Sequence, residues 1–596
     1  MRESVRIACC SGFYGDRPRA AREMVEGGAI DILMGDWLAE LTMLILQKTR
    51  RRRPDGGYAR TFVSQMEQVL GSCLDRGIKV VSNAGGLDPA GCAEAVSSVA
   101  KRLGLAPVVA YVEGDDLMRR LDEMLTIGTL RPTSPDEPPV KSTDIVTANA
   151  YLGCWGIVEA LSRGADVVIT GRVTDAALTC GPAAWWHGWE RADLNELAGA
   201  VVAGHVLECG AQATGGNYSF FDEVTGGDRD GRPPRLGFPW AEIAHDGSSV
   251  IGKHDGTGGA VTVGTITSQL LYEIGSPEYY GPDVTARFDT VNLEQIADDR
   301  VRVAGTLGQA PPSTLKVGTN LIGGYRNSIT IALTGLDIDE KARFARAAFW
   351  DALALAPTDF DSVVEIVHKT NKSDPTSQAE ATAAWQITVK DHDEAKVGRS
   401  FTDAMVQTSL ASIPGMYPIW DGPTGAREFG VHRAFSVPAE LVPQYVHFWG
   451  SDFITAVESV GPSGPRLEVS TVPTPNASTG PTRRAVLGDV LGTRSGDKGG
   501  DANLGVFARS DVGWAWLDRF LTVERLQALL PEVRSLPIER HRLPNLRSLN
   551  FVIFGLLGDG VAGSTRRDPQ AKALGEWLRS RMVPIPISVL EATPTT

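Results

Sequence analysis

The densest group of chemically versatile side chains lies in the segment GHVLECGAQATGGNY. His205, Glu208 and Cys209 occupy positions i, i+3 and i+4, so a helix through them would place all three on one face. An imidazole beside a carboxylate is a common pair for moving a proton, and a thiol is a nucleophile once it is ionised. The glycines that follow predict a loop, in which Gln212 and Asn217 offer amide groups to a substrate.

Several roles remain open for this group. His205 and Glu208 fit general acid and base catalysis, hydrogen bonding inside the fold, or the ligation of a divalent metal with Asp255 as a third ligand. The spacing HxxEC differs from the zinc signature HExxH and supplies too few ligands alone. Cys209 is a candidate nucleophile, although buried cysteines commonly behave as small hydrophobic residues.

A second set of polar residues follows the predicted β-strands IDILM, IKVVS and ADVVITG. These candidates are Asp36, Glu40, Asn83, Gly85, Gly86, Arg172 and Asp175. Because ligands gather at the carboxyl ends of parallel strands, we expect these residues to form one site. The Arg172 guanidinium matches a carboxylate or phosphate, and Asp175 would orient it. The alternatives are ordinary turn and helix-cap chemistry and a structural Arg–Asp pair.

Two more glycine-rich segments carry charges. KHDGTGG places Lys253 beside glycines that would cradle a phosphate or an enolate oxygen, or it forms a hairpin loop with solvated charges. RSGDKGGDAN, with Lys498, lies between two predicted strands, so we expect a hairpin and not a P-loop. None of the candidate loops after the strands is a GxGxxG or a GxxxxGK[ST] motif, so no motif in them supports binding of NAD or ATP.

The pattern of hydrophobic residues predicts an α/β fold. Short β-branched runs alternate with amphipathic segments up to about residue 205, which indicates a mostly parallel sheet flanked by helices. Shorter β-like stretches follow (VTVGTI, RVRVAGTL and SITIALTGL) and predict an α+β second lobe. The expected divisions are an N-terminal domain over 1–460, with candidate lobes 1–210 and 211–460, a Pro- and Gly-rich linker over 461–484, and a small C-terminal α+β domain over 485–596.

Composition narrows the class of protein. The 596 residues include 58 Lys and Arg against 72 Asp and Glu, a net charge of −14 that argues against nucleic-acid binding. Seven scattered cysteines without a CxxC pair argue against a disulfide framework and favour the cytoplasm. No apolar run is long enough to span a membrane. We therefore expect a cytoplasmic homo-oligomer that binds a small molecule.

Five segments resemble the acyclic terpene utilisation (AtuA-like) family. They are YLGCWGIVEAL, ADVVITGRVTDAAL, GHVLECGAQATGGNYSFF, KHDGTGGAVTVGTITSQLLYE and RSGDKGGDANLGV. The resemblance implies a large AtuA-type N-terminal domain and a ferredoxin-fold-like C-terminal domain that carries the RSGDKG turn. Members of this family are associated with bacterial catabolism of citronellol and geraniol, in which neighbouring steps act on branched acyl-CoA thioesters.

Together, the residues and the resemblance predict an enzyme of terpenoid or branched-chain acid breakdown that hydrates or dehydrates a carboxylate or an acyl-CoA thioester. Arg172 and the glycine-rich loops would hold the anion, while His205 and Glu208 would move the proton. CoA would enter as part of the substrate, and a divalent metal is compatible with the same residues. The alternatives are a non-catalytic partner of an acyl-CoA carboxylase and a metal-dependent hydrolase.

Overall fold

The computed structural model describes residues 3–53, 56–134, 139–225, 235–419, 424–464, 467–468, 473 and 480–593. The chain divides into two compact units. Unit 1 contains Met1–Asn320, His432–Val561 and Asp568–Thr596, and unit 2 contains Leu321–Val431 and Ala562–Arg567. The α/β class is confirmed. Among the described residues, no helix has the length and apolar character needed to cross a membrane.

The first part of unit 1 alternates strands and helices, as the sequence predicts. Its strands are β1 (Ser4–Cys9), β2 (Ile32–Gly35), β3 (Lys79–Ser82), β4 (Val109–Glu113), β5 (Arg131–Pro132), β6 (Ile145–Ala150) and β7 (Val167–Thr170). Its helices are α1 (Ala20–Gly27), α2 (Glu40–Arg50), α3 (Arg60–Arg76), α4 (Pro89–Arg102), α5 (Leu121–Thr126), α6 (Trp155–Ser162), α7 (Ala177–His187) and α8 (Leu194–Leu207).

The middle of the chain is richer in strands. Its strands are β8 (Pro239–Ala244), β9 (Ser249–Lys253), β10 (Glu278–Tyr280), β11 (Thr285–Arg287), β12 (Asn292–Ala297), β13 (Arg300–Ala304), β14 (Leu307–Gln309), β15 (Thr314–Thr334), β16 (Ser362–His368), β17 (Thr382–Asp391), β18 (Met416–Pro418) and β19 (Arg427–Pro438). Its helices are α9 (Phe221–Thr225), α10 (Val263–Leu270), α11 (Ile338–Leu353), α12 (Glu394–Val397) and α13 (Arg399–Gln407).

The last part of the chain completes unit 1. Its strands are β20 (Gln444–Phe448), β21 (Ile454–Val457), β22 (Thr482–Val486), β23 (Leu491–Lys498), β24 (Asp501–Ala508), β25 (Ile538–Leu543), β26 (Ser548–Ile553) and β27 (Met582–Pro586). Its helices are α14 (Asp511–Phe520), α15 (Val523–Leu529), α16 (Leu574–Arg579) and α17 (Ile587–Ala592).

The main sheet of unit 1 has eleven strands in the order β12-β13-β9-β8-β1-β2-β3-β7-β4-β20-β21. The five central strands β1, β2, β3, β7 and β4 run parallel. The six outer strands, which come after residue 238, pair antiparallel, so the prediction of a mostly parallel sheet is confirmed for the centre of the sheet and not for the whole of it. Short connections of the hairpin kind, such as the one between β8 and β9, permit only antiparallel neighbours.

One predicted strand is a helix. VTVGTI reads as β-like because of its β-branched residues, but the structure places Val263–Leu270 in helix α10. The side chain of Thr262 accepts a hydrogen bond from the backbone N–H of Thr265 and caps the helix. Because this cap satisfies an N–H group that would otherwise lack a partner, it favours the helix over the weak strand preference of valine and threonine.

The carboxyl ends of the parallel strands position the candidate residues. Helices α1, α3 and α4 pack in one row and α6, α7 and α8 in another, and both rows contact strands of the central sheet. The hydrophobic residues of the central strands, among them Ile7, Leu33, Val81 and Ile169, are fully buried. The loops after β2, β3 and β7 therefore all begin at the same edge of the sheet, and a rigid core supports them.

The C-terminal part of unit 1 builds its own four-stranded antiparallel sheet, ordered β23-β24-β26-β25. Its core contains Leu504, Leu517, Phe551 and Leu574. β23 and β24 form the expected hairpin, with Gly499 in the left-handed region at its turn. Of the predicted linker 461–484, residues 465–466, 469–472 and 474–479 lie outside the described part of the chain.

Unit 2 is an antiparallel sheet covered by helices. Within it β15 pairs with β17 from Tyr325↔Asp391 to Thr334↔Thr382, and β17 pairs with β16. Helices α11 and α13 pack together, and Phe349, Trp385 and Phe401 fill the core between the helices and the sheet. The candidate residues described below all belong to unit 1.

Candidate active site

Arg172 ties the loop after β7 to the loop after β2. Its Nη1 atom donates hydrogen bonds to the backbone oxygen of Leu38, at 3.1 Å, and to Oδ1 of Asp175, at 2.7 Å. The guanidinium carbon lies 4.2 Å from the ring centroid of Tyr151, a cation–π distance. Arg172 is 4% exposed, so its charge is neutralised mainly by these protein partners.

Asp36 and Asn83 hold the loop after β2 in place. Nδ2 of Asn83 donates a 2.6 Å hydrogen bond to Oδ1 of Asp36, and Oδ1 of Asn83 accepts one from the backbone of Trp37 at 2.8 Å. Burial, and then the charge of Asp175, raises the pKa of Asp36 well above its usual range. Asn83 therefore positions Asp36, since both atoms of its amide group are engaged inside the protein.

Gly85 and Gly86 serve close packing of loops. A Cβ atom on Gly85 would lie 2.5 Å from the backbone oxygen of Thr170 at the end of β7. Gly86 has φ of +53°, in the left-handed region, and a Cβ there would collide with the side chain of Leu46. These glycines let the loops after β3 and β7 approach each other, which positions Arg172.

His205 and Glu208 lie together at the end of α8. Nδ1 of His205 is 3.1 Å from Oε1 of Glu208, and both side chains are almost fully buried. The His205 ring packs against Tyr279 and Phe288, with centroids 5.1 and 5.3 Å away. Burial lowers the pKa of His205 to about 4. Burial, followed by the charges of Asp175 and Glu273, raises the pKa of Glu208 well above its usual range.

The other predicted residues of this segment are more dispersed. Burial and the charge of Glu208 raise the pKa of the Cys209 thiol, which favours the protonated form and not the thiolate that a nucleophile requires. The side chain of Gln212 accepts a hydrogen bond from Nη2 of Arg494. Asn217 is exposed and has φ of +58°, a conformation that asparagine adopts more readily than most residues.

A second group joins the first from α2, β15 and β19. Nζ of Lys316 lies 2.9 Å from Oε1 of Glu40, and Nε2 of His432 lies 3.2 Å from the same oxygen. Burial alone would raise the pKa of Glu40, but the charges of His432 and Lys316 lower it well below its usual range. Sequence reasoning missed Lys316 and His432, because both lie within strands and outside any glycine-rich loop.

The hairpin β23–β24 contributes two more charges. Burial, and then the charges of Glu273 and Glu40, raises the pKa of Asp497 to about 7. Lys498 is exposed, yet desolvation and the neighbouring Lys316 lower its pKa. The Lys316 side chain is likewise 46% exposed, so water and small molecules can reach both amino groups.

Glu273 is the remaining member and was also missed by sequence reasoning. It follows α10 and has φ of +57°, a left-handed conformation that is uncommon for a glutamate. Burial raises the pKa of its carboxyl group, a hydrogen bond with the Tyr272 hydroxyl opposes this shift, and the charges of Asp175 and Glu40 add to it. No motif in the sequence marks this position.

Charges within this set shift the pKa values of several of its members, among them Glu40, Glu208 and Asp497, so we treat the set as one site, called here the cleft cluster. Its members are Asp36, Glu40, Arg172, Asp175, His205, Glu208, Glu273, Lys316, His432, Asp497 and Lys498. It combines carboxyl groups held toward their neutral form with three long cationic side chains. Such a set can bind an anion and supply a proton beside it.

Lys253 and Asp255 have partners elsewhere. Nζ of Lys253 donates to the backbone oxygen of Thr257, at 2.8 Å, and lies 2.9 Å from Oδ2 of Asp299. The Asp255 side chain is 99% exposed, whereas His205 is 1% exposed, so the predicted metal ligands do not converge. In the part of the chain that the structure describes, no group of three or more His, Cys, Asp and Glu side chains could hold a metal ion.

Comparison with protein-family models identifies two regions of the chain. Residues 5–448 match the model of the acyclic terpene utilisation family protein AtuA. The chain belongs to the AtuA family. Residues 485–584 match the AtuA ferredoxin-like domain. The AtuA match supports a role in terpene catabolism. A search of curated proteins found no match. Within the cleft cluster, Asp497 and Lys498 come from the AtuA ferredoxin-like domain, and the other members come from the AtuA region.

Proposed function

We propose that the protein is an enzyme of acyclic terpenoid or branched-chain acid breakdown that adds water to, or removes water from, a carboxylate or an acyl-CoA thioester. The observation that carries this proposal is the cleft cluster itself. It places cations for an anionic substrate next to carboxyl groups whose raised pKa keeps a proton available near neutral pH.

Lys498 is the cation best placed to receive the substrate. Arg172 is paired with Asp175, and Lys316 is paired with Glu40. Among the described contacts, Lys498 makes only one hydrogen bond, a long one of 3.5 Å to the backbone oxygen of Glu273. Its amino group thus has the largest unused capacity for a substrate carboxylate or thioester oxygen, with Arg172 behind it as a fixed positive charge.

Glu208 is the group we assign to general acid catalysis. Its Oε2 atom makes no hydrogen bond within the described chain, and a protonated carboxyl there can donate its proton to a substrate oxygen. His205, whose pKa burial lowers to about 4, is neutral at physiological pH, and its Nδ1 atom lies 3.1 Å from the other carboxyl oxygen, Oε1. In this assignment His205 positions Glu208 and does not itself carry the proton.

Thermal-shift screening of the purified protein tests this function. The ligands are free branched acids, 3-methylbut-2-enoyl-CoA as a branched unsaturated thioester, free CoA, NAD(P) and divalent metals, because a ligand that binds only the native state raises the Tm. We expect the thioester or the acid to raise the Tm. For Lys498→Ala we expect the same Tm increase to require a ligand concentration at least about tenfold higher, which corresponds to a loss of about 1.4 kcal/mol of binding free energy.

Arg22→Ala is a matched control, since Arg22 is an exposed cation that, among the described residues, is paired with Glu26 on the surface of α1. Turnover, followed as loss of the absorbance of the conjugated thioester, then tests the chemistry. A Tm increase with metal or NAD(P) but not with acid or thioester would contradict the proposal. If Lys498→Ala and Arg22→Ala weaken ligand binding equally, this result contradicts the assignment of Lys498.

We also propose that the protein is cytoplasmic and a homo-oligomer. All seven cysteines are free, and Cys209 alone is not buried, which suits a reducing compartment. Light scattering of the purified protein measures the oligomeric state, and a monomer at micromolar concentration would contradict the proposal of a homo-oligomer.

A further inference from the structure

Two asparagines of the C-terminal sheet hold the segment that carries Glu273. Oδ1 of Asn503 accepts a 2.9 Å hydrogen bond from the backbone N–H of Glu273, and its Nδ2 donates to the backbone oxygen of Leu271 at 2.7 Å. Asn503 lies on β24, so this contact joins the C-terminal sheet to the end of α10.

Asn550, on the neighbouring strand β26, binds the next residues of the same segment. Its Nδ2 donates to the backbone oxygens of Ile274, at 3.1 Å, and Gly275, at 2.7 Å. Nδ2 of Asn503 donates to Oδ1 of Asn550 at 2.9 Å. Both side chains are fully buried, and every polar atom of the pair is used on this segment or on the other asparagine.

The backbone held in this way is strained at one residue. Glu273 has φ of +57° just after a helix, a position at which glycine or asparagine is the usual choice because a Cβ atom costs free energy there. All the hydrogen bonds between this segment and the two asparagines use backbone groups of the segment, so glycine at position 273 would satisfy them equally well. The strain is therefore tied to the glutamate side chain.

That side chain lies against the hairpin β23–β24, since a Cβ atom on Gly496 would come within 3.3 Å of Cγ of Glu273, beside Asp497 and Lys498 in the sequence. The titratable and charged groups that act on it or that it acts on are Glu40, Asp175, His205, Glu208, Cys209, Tyr272, Tyr279, Arg494, Asp497, Lys498 and Lys572. These groups come both from the parallel-sheet region with α8 and from the C-terminal sheet with its neighbouring segments. Glu273 thus stands where both parts of unit 1 meet.

We propose that Glu273 is a further catalytic residue of the cleft, which exchanges a proton with the substrate, and that Asn503 and Asn550 are positioning residues that fix its backbone. The C-terminal sheet is then an integral half of the active site, since it supplies Asp497 and Lys498 directly and Glu273 through its asparagines. This inference rests on the function proposed above and assigns Glu273 as a second carboxyl group beside Glu208.

The first experiment needs no substrate. The Tm of the full chain is measured from pH 4.5 to 8 for the wild type, Glu273→Gln, Asn503→Ala and Asn545→Ala. Asn545 is the matched control, because its Nδ2 also donates two hydrogen bonds of 2.8 Å to backbone oxygens, those of Phe288 and Val291, but does not touch the segment 271–275.

As the pH rises, we expect the Tm of Glu273→Gln to fall less than the Tm of the wild type, because glutamine stays neutral and burial favours the neutral form. Asn503→Ala frees the segment and should weaken the pH dependence in the same direction, whereas Asn545→Ala should lower the Tm equally at every pH. Equal pH profiles for all four proteins, or an Asn503→Ala profile like that of Asn545→Ala, would overturn the proposal.

The second experiment uses the thioester of the function assay. We expect Glu273→Gln to lower kcat about a hundredfold with KM within about threefold, as for removal of a general acid or base. Glu273→Asp should recover part of the activity, and Asn545→Ala should keep most of it. Full activity of Glu273→Gln would overturn the role of Glu273. If the wild type binds no acid or thioester while the pH profiles behave as expected, the proposed function fails and the placement of Glu273 stands.

Discussion

Oε1 of Glu208 lies 3.1 Å from Nδ1 of His205, and burial drives both groups toward their neutral forms instead of into an ion pair. A charged pair in this position would have to offset the desolvation of two ions. Neutral partners avoid that cost, and they leave a carboxyl proton in the same cluster as Arg172, Lys316 and Lys498. The pH dependence of stability should record this arrangement.

Glu208→Gln should stabilise the protein at neutral pH. The pKa of Glu208 is raised in the folded state, so its carboxyl group favours folding below about pH 4.5 and this contribution is lost as the pH rises. Glutamine keeps a neutral side chain at every pH. Urea unfolding at pH 5 and pH 8 should show that the stability gain over the wild type grows with pH. Glu94→Gln, on the exposed face of α4, is the control and should show no such trend.

For His205 we expect the opposite pH dependence, in which the protein loses stability as the pH falls. Its folded-state pKa of about 4 lies below the ordinary value of 6.5, so the unfolded chain takes up the proton first as the pH falls. Stability is therefore lost between about pH 6.5 and pH 4, by up to about 3 kcal/mol. His205→Phe should remove this loss, measured by urea unfolding at pH 7 and pH 5. A histidine NMR titration with a midpoint above pH 6 for His205 would contradict the prediction.

Asn83→Ala should destabilise the chain by about 2 to 3 kcal/mol. The substitution removes two buried hydrogen bonds and leaves the Asp36 carboxyl and the Trp37 backbone N–H with fewer partners. Asn195→Ala is the control, because the exposed Asn195 accepts a single hydrogen bond from the backbone of Gly308. Its loss should stay below about 1 kcal/mol. Similar losses for both variants would show that Asn83 does not organise the site.

Glu273→Gly should stabilise the fold and abolish turnover. Glycine removes the left-handed strain, worth about 1 kcal/mol, while the proposed catalytic carboxyl group disappears. Ala354→Gly is a matched control in unit 2, since Ala354 has φ of +56° at the end of α11. It should give a similar gain in urea unfolding without changing ligand binding. A Glu273→Gly variant that is both more stable and fully active would refute the catalytic assignment.

The local signals in the sequence were sufficient for part of the site. Arg172, Asp175 and Asp36 follow buried strands. A β-branched run followed by glycine and polar residues indicates where such a strand ends. The structure brings these three together. His205 and Glu208 share a helical face as their spacing predicts, because three and four residues are close to one helical turn.

The rest depends on contacts between distant parts of the chain. Lys316 and His432 lie on strands β15 and β19, and only the folded chain places both beside Glu40. Glu273 follows a helix that the sequence pattern predicts as a strand, so its position after a helix end was not visible. The antiparallel outer strands of the main sheet were missed for the same reason, since hairpin pairing depends on tertiary context more than on local preference.

The order of the cleft cluster along the chain bears on how the protein is made. Asp36 emerges from the ribosome about 460 residues before Lys498, and at about 5 to 20 residues per second this interval lasts about 25 to 90 seconds. During that time the earlier members of the cluster lack Asp497 and Lys498. On the function proposed here, the active site is therefore incomplete until synthesis is nearly finished, and a product truncated after residue 490 would be inactive even with its parallel strands folded.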